Sequence, residues 1–209
     1  MQSSTVATDA PPESDKHRET SYVDDFVTYV GRVREFDGDD WRVYIGWVGL
    51  MLGLVASTGG FLLFGHARGV RFPGVAWMIP AGALVFAVAI AIDTIGHRTV
   101  YKEEIKKAEA LVHHVTIFCG VGSCVLLCAA YELRDLFWVP AMVLTVMSFV
   151  YSLVDEVFHW VRYATKRSDR IEMWSHLFIF IGHGTMMIGW WAFFFGGYPG
   201  VAATLSHLR

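Results

Sequence analysis

Residues 93–113 read DTIGHRTVYKEEIKKAEALVH and residues 155–176 read DEVFHWVRYATKRSDRIEMWSH. Set side by side, they state one pattern twice. Asp93, His97 and Tyr101 are followed by a basic loop and then by Glu109 and His113; Asp155, His159 and Tyr163 are followed by a basic loop and then by Glu172 and His176. The Asp, first His and Tyr of the two copies lie 62 residues apart and the Glu and second His 63 apart, so one inserted residue in the second loop brings everything into register. Each acid and its histidine stand at i and i+4, on one face of a helix about 6 Å apart, where two side chains can grip one cation.

Outward from these stretches the chain turns apolar on both sides. Five runs are long enough to cross a bilayer, which takes about 20 residues: Trp41 to Phe64, Phe72 to Ile95, Leu111 to Tyr131, Leu136 to Val161 and Met173 to Phe195. With 54% hydrophobic and 18% charged residues among 209, the chain is more apolar than a soluble domain of its size can bury. The expected fold is therefore all-α and polytopic. Residues 1–20 read as a disordered N-terminal tail, 21–40 as an amphipathic helix lying in the interface, and 41–71 as the first membrane helix and its loop. Residues 72–209 read as a four-helix metal-binding bundle built from two hairpin repeats, 72–131 and 136–195.

A net charge of -3 without a basic tract offers nucleic acid no purchase, so membrane lipid is the expected partner. Cys119, Cys124 and Cys128 share one apolar run and read as small hydrophobes. Arg98, Lys102, Lys106 and Lys107 follow the second run; Arg162, Lys166, Arg167 and Arg170 follow the fourth. The positive-inside rule places both loops, and with them the N-terminus, in the cytoplasm.

Because the helices carrying the pattern alternate in direction, Asp93, His113, Asp155 and His176 fall in one layer. His97, Glu109, His159 and Glu172 fall one turn nearer the loops. Four carboxylates and four imidazoles facing a bundle interior can hold one or two first-row metal ions. Ionisable groups inside a membrane are costly, which favours a functional reading over a purely structural polar network. Bis-histidine haem is a rival, although haem has no use for four carboxylates.

Several neighbours qualify the pattern. Glu156 stands at i+3 from His159 and competes with Asp155 for the role of ligand. His183 lies one heptad beyond His176 on the same face, either as a core residue or as a further ligand, whereas His114 points about 100° away from His113. Tyr101 and Tyr163 read as interfacial anchors or as donors that orient the carboxylates.

Asp93, His97, Arg98-Thr99-Val100 and the later His113 resemble the first metal-binding stretch of the C subunit of copper-dependent membrane monooxygenases, the particulate methane and ammonia monooxygenases. Asp155, Glu156 and His159, with His176 one hairpin later, resemble that subunit's second stretch, which has Asn where this chain has Asp155. The resemblance covers roughly Asp93 to His183, and the family's segment between the two histidines of its first stretch is replaced here by residues 101–112. It implies copper held by Asp93, His97 and His113 in one site and by Asp155, His159 and His176 in a second. It further implies hydroxylation of a small apolar substrate such as ammonia, methane or a short alkane, and partner membrane subunits or a homo-oligomer. The alternatives are a stand-alone di-iron or di-manganese oxidase acting on lipid or quinol, with Glu109 and Glu172 bridging the ions, and a non-enzymatic metal-handling or haem electron-transfer protein.

Overall fold

The computed structural model describes residues 21–100, 107–166 and 170–208, with the side chains of residues 107–110 and 166 outside that description. The expected tail over residues 1–20 and Tyr101 lie outside the described residues as well. Every regular element described is helical: α1 (Tyr22–Gly31), α2 (Gly38–Ala67), α3 (Gly74–Thr99), α4 (Lys107–Ala129), α5 (Arg134–Lys166), α6 (Arg170–Phe195) and α7 (Val201–Ser206). Among the described residues five helices, α2 to α6, are long and apolar enough to cross a membrane. At the end where the chain passes from α3 to α4 and from α5 to α6, all four helices run beyond the apolar runs of the sequence.

The expected interfacial helix is split. After α1 the chain makes a short 3-10 turn over Arg32–Glu35, and α2 then begins at a capping box. The Asp37 carboxylate accepts from the amides of Asp39 at 2.8 Å and Asp40 at 2.9 Å, while Asp40 accepts from the Asp37 amide at 3.2 Å. Asp40, almost wholly buried, also pairs with Arg98, whose Nε donates at 2.7 Å, and so ties the start of α2 to the end of α3. Arg170 at the start of α6 reaches Asp25 of α1 at 2.5 Å. These two ion pairs fasten α1 and α2 to the loop end of the bundle.

At the opposite end an apolar core fills the space between α3, α4, α5 and α6, with Leu127, Met186, Met187, Trp190, Phe193 and Phe194 among its buried members. A turn with positive φ at Gly197, Tyr198 and Gly200 returns the chain to α7, an element absent from the apolar pattern. Tyr198 donates to the Leu127 carbonyl at 2.5 Å, and burial pushes its phenol up to about 12, so the donor stays protonated at neutral pH.

The two helices of each hairpin are not one another's principal neighbours. α3 packs along α6 and α4 along α5, while α5 meets α6 over a shorter stretch. A pseudo-twofold that exchanges the hairpins turns α3/α6 into α5/α4, so the two extended seams are the two that the repeat makes equivalent. Along α3/α6 the backbones touch. A Cβ on Gly182 would lie 2.6 Å from the Phe86 nitrogen, and one on Gly82 would lie 2.7 Å from the Gly182 carbonyl oxygen and run into the Met186 nitrogen.

Candidate metal centre

Near the loop end, α3, α4, α5 and α6 each send one imidazole into the bundle axis. His97, His113, His159 and His176 each offer a ligand atom, and all four atoms lie within 4.8 Å of one another. The His159 and His176 rings stack with centroids 3.4 Å apart, and the His97 ring lies 5.1 Å from that of His113. His159 and His176 are buried and His97 and His113 partly so. The two triads that the resemblance separates thus meet in one cluster, with one histidine from each helix.

Two aspartates stitch the cluster across the extended seams. Asp93 on α3 faces His176 on α6 at 3.0 Å, and Asp155 on α5 faces His113 on α4 at 3.2 Å. These contacts are images of one another under the repeat, since Asp93 maps to Asp155 and His176 to His113. Within each first helix the same aspartate reaches its own i+4 histidine, His97 at 3.3 Å and His159 at 3.8 Å. The layer expected of Asp93, His113, Asp155 and His176 is present in these cross-helix contacts.

The remaining sequence candidates take different places. Glu172, in the layer nearer the loops, stands behind His159 and not its own i+4 partner His176: its Oε1 lies 3.0 Å from His159 Nδ1 and accepts from Arg162 at 3.0 Å. A carboxylate on the far nitrogen of an imidazole fixes the ring and leaves the other nitrogen for a metal, the usual support of a metal-bound histidine. Arg162 was not among the sequence candidates, although an arginine one heptad on from Asp155 shares its face. Asp155 lies 3.2 Å from His113 and within 4.0 Å of both His159 and His176, whereas among the four histidines Glu156 pairs with His176, at 3.5 Å. The Glu109 side chain, the counterpart of Glu172 in the first copy, lies outside the described residues.

Tyr163 is exposed, its ring edge-on to Trp160 at 6.4 Å, in keeping with an interfacial anchor. His114 is exposed, as its angle from His113 required. His183 stands apart from the cluster, between the rings of Phe86 and Phe149.

Compared with protein-family models, with curated proteins and with solved structures, the chain finds no match.

Proposed function

We propose that this chain is a membrane-embedded, metal-dependent oxidoreductase whose ion is held by His97, His113, His159 and His176, with Asp93 and Asp155 as ligands or as the groups that orient them. The observation that carries this reading is the convergence of four imidazoles from four helices to within 4.8 Å. Ligand nitrogens around one tetrahedral ion at bonds of 2.0–2.1 Å stand about 3.4 Å apart, so a small contraction of the cluster completes such a site. A nitrogen-rich set suits copper, iron or zinc, and the resemblance to copper monooxygenases favours copper and a small apolar substrate. When bound, copper or iron supplies one-electron and O₂ chemistry, while the chain's own groups set ring orientation and exclude water. A haem plane between two of these histidines would have to pass through the other two. Loop charge supports a centre near the cytoplasmic face, and the reading includes partner subunits that deliver electrons.

A second reading, a pair of ions acting on a lipid or quinol, is favoured by one feature. A groove of about 400 Å³ opens between α1, α3 and α6, lined by Tyr22, Phe26, Val88, Ile92, Trp174 and Phe178 among others. Ala89 and Ser175, which also line it, are small residues adjoining the level of Asp93 and His176 and offer an apolar chain a sideways approach.

Elemental analysis with electron paramagnetic resonance on detergent-purified protein tests both. Copper with nitrogen hyperfine structure, lost in a His97→Ala, His159→Ala double variant, is the expected result. Paired iron moves the assignment to the second reading. Equal metal content in wild type and variant, or none in either, overturns the metal centre.

A further inference from the structure

Beyond the four-histidine cluster the bundle interior stays polar for more than half its depth. On α5 the buried residues Thr145, Ser148, Ser152, Asp155 and His159 recur at spacings of three and four, one unbroken inward stripe. At 1.5 Å per residue it spans about 21 Å of a hydrocarbon core about 30 Å thick. α4, which packs along α5, carries Ser123, fully buried, and Thr116, whose Oγ1 is buried with no hydrogen-bond partner among the described residues. Ser148 donates to the Thr145 carbonyl and Ser123 to the Gly120 carbonyl, each at 2.8 Å. Their hydroxyl oxygens are left free to accept. At its far end the stripe stops where the Trp191 indole donates to Thr145 at 3.2 Å.

His183 sits beside this stripe. It is 5% exposed, and its ring lies between Phe149, with centroids 4.6 Å apart, and Phe86 at 5.6 Å, stacked on both. Its Nε2 is buried with no hydrogen-bond partner among the described residues and looks toward Gly120, where even an added Cβ would stay 3.9 Å away. Two phenyl rings and a glycine cannot satisfy an imidazole nitrogen, and leaving it unmet costs on the order of 1–3 kcal/mol. Thr116 is one turn from Gly120 on the same helix and one turn from His113. Buried waters collect where several polar groups lack partners, each making about three hydrogen bonds.

The geometry points to a hydrated proton path from His183, through Thr116 and the Ser148–Ser152 face, to Asp155 and the four-histidine centre. His183 is its inner terminus: the imidazole takes one proton from a bridging water and returns one to that water, unchanged overall. The apolar core beyond Thr145 closes the path there, so protons enter and leave it from the loop end, past the partly exposed His113, and none leaks across the membrane. Phe86 and Phe149 hold the ring in place while it cycles. The proposal rests on the cluster being the reaction centre, but its test reads only the hydration of His183 in metal-free protein.

The test is hydrogen–deuterium exchange of the His183 ring N–H by nitrogen-15 spectroscopy on the full histidine-labelled chain in nanodiscs, with the signal assigned by its loss in His183→Phe. Exchange complete within minutes in wild type, slowed at least tenfold by Thr116→Val with Ser152→Ala, is expected. If the double variant does not fold, Ser152→Ala alone is judged by the same criterion. A ring N–H that persists for hours in wild type, or one whose exchange rate is the same in the variants, overturns the path and leaves His183 as a packing residue.

Discussion

The two extended seams of the bundle are equivalent by the repeat yet built differently. Their polar ends match: Asp93–His176 at 3.0 Å on α3/α6 and Asp155–His113 at 3.2 Å on α5/α4. Their apolar lengths do not. α3 and α6 meet backbone to backbone at Gly82 and Gly182 and again at Gly189, where a Cβ would lie 2.7 Å from the Met78 Cβ. Leu144, one repeat on from Gly82, instead lays its side chain over α4, 2.9 Å from where a Cβ on Gly122 would be. The pairing of acid and imidazole is thus the same in both halves, while the packing beneath it has two solutions. That division is expected if the chemistry constrains the ends and only close packing constrains the rest.

Breaking the seams should show the contrast most strongly. Gly182→Leu drives a side chain into the α3 backbone, which has no rotamer to yield, and should destabilise by about 3 kcal/mol or more. Gly122→Ala meets only the flexible end of Leu144 and should cost about 1 kcal/mol or less. Unfolding in mixed micelles, followed by circular dichroism, compares the two, and equal losses would erase the distinction. At the polar ends the seams should respond alike: Asp93→Asn and Asp155→Asn should each weaken metal binding by about 10- to 100-fold in calorimetric titration. A clearly milder effect of Asp155→Asn would show Glu156 standing in for it and sharpen the asymmetry of the second copy. Smallest of the three, Glu172→Gln should lower affinity by about tenfold through the orientation of His159. It should leave the total helical signal unchanged.

Much of this is legible in the sequence. Span count, the duplicated Asp-x3-His and Glu-x3-His pattern, the layer shared by Asp93 and His176 and the outward turn of His114 all follow from helical periodicity. The pairing of α3 with α6 did not, because a helix apolar on every face carries no stripe to say which side meets a partner; that information sits in Gly82, Gly182 and Gly189, whose meaning depends on a helix distant in sequence. Glu172 has the same spacing to His176 as a ligand would, and only the arrival of Arg162 from α5 reveals it as the brace of His159. The inward stripe of Thr145, Ser148 and Ser152 is not legible in the sequence for a simpler reason. Small hydroxyls are common in membrane helices, and their alignment with Asp155 matters only once the bundle axis is known.

The hard contact at Gly82 and Gly182 also makes the centre a calliper with one fixed arm. Asp93 and His176 hang from two backbones that are already touching and can come no closer, so their separation is a built-in gauge. Asp155 and His113 hang from helices held apart by the pliant side chain of Leu144, and any adjustment to the radius of an ion falls to that arm. In the proposed metal centre, discrimination among metals would be a matter of how far one side of the bundle can travel, with the other side serving as the ruler.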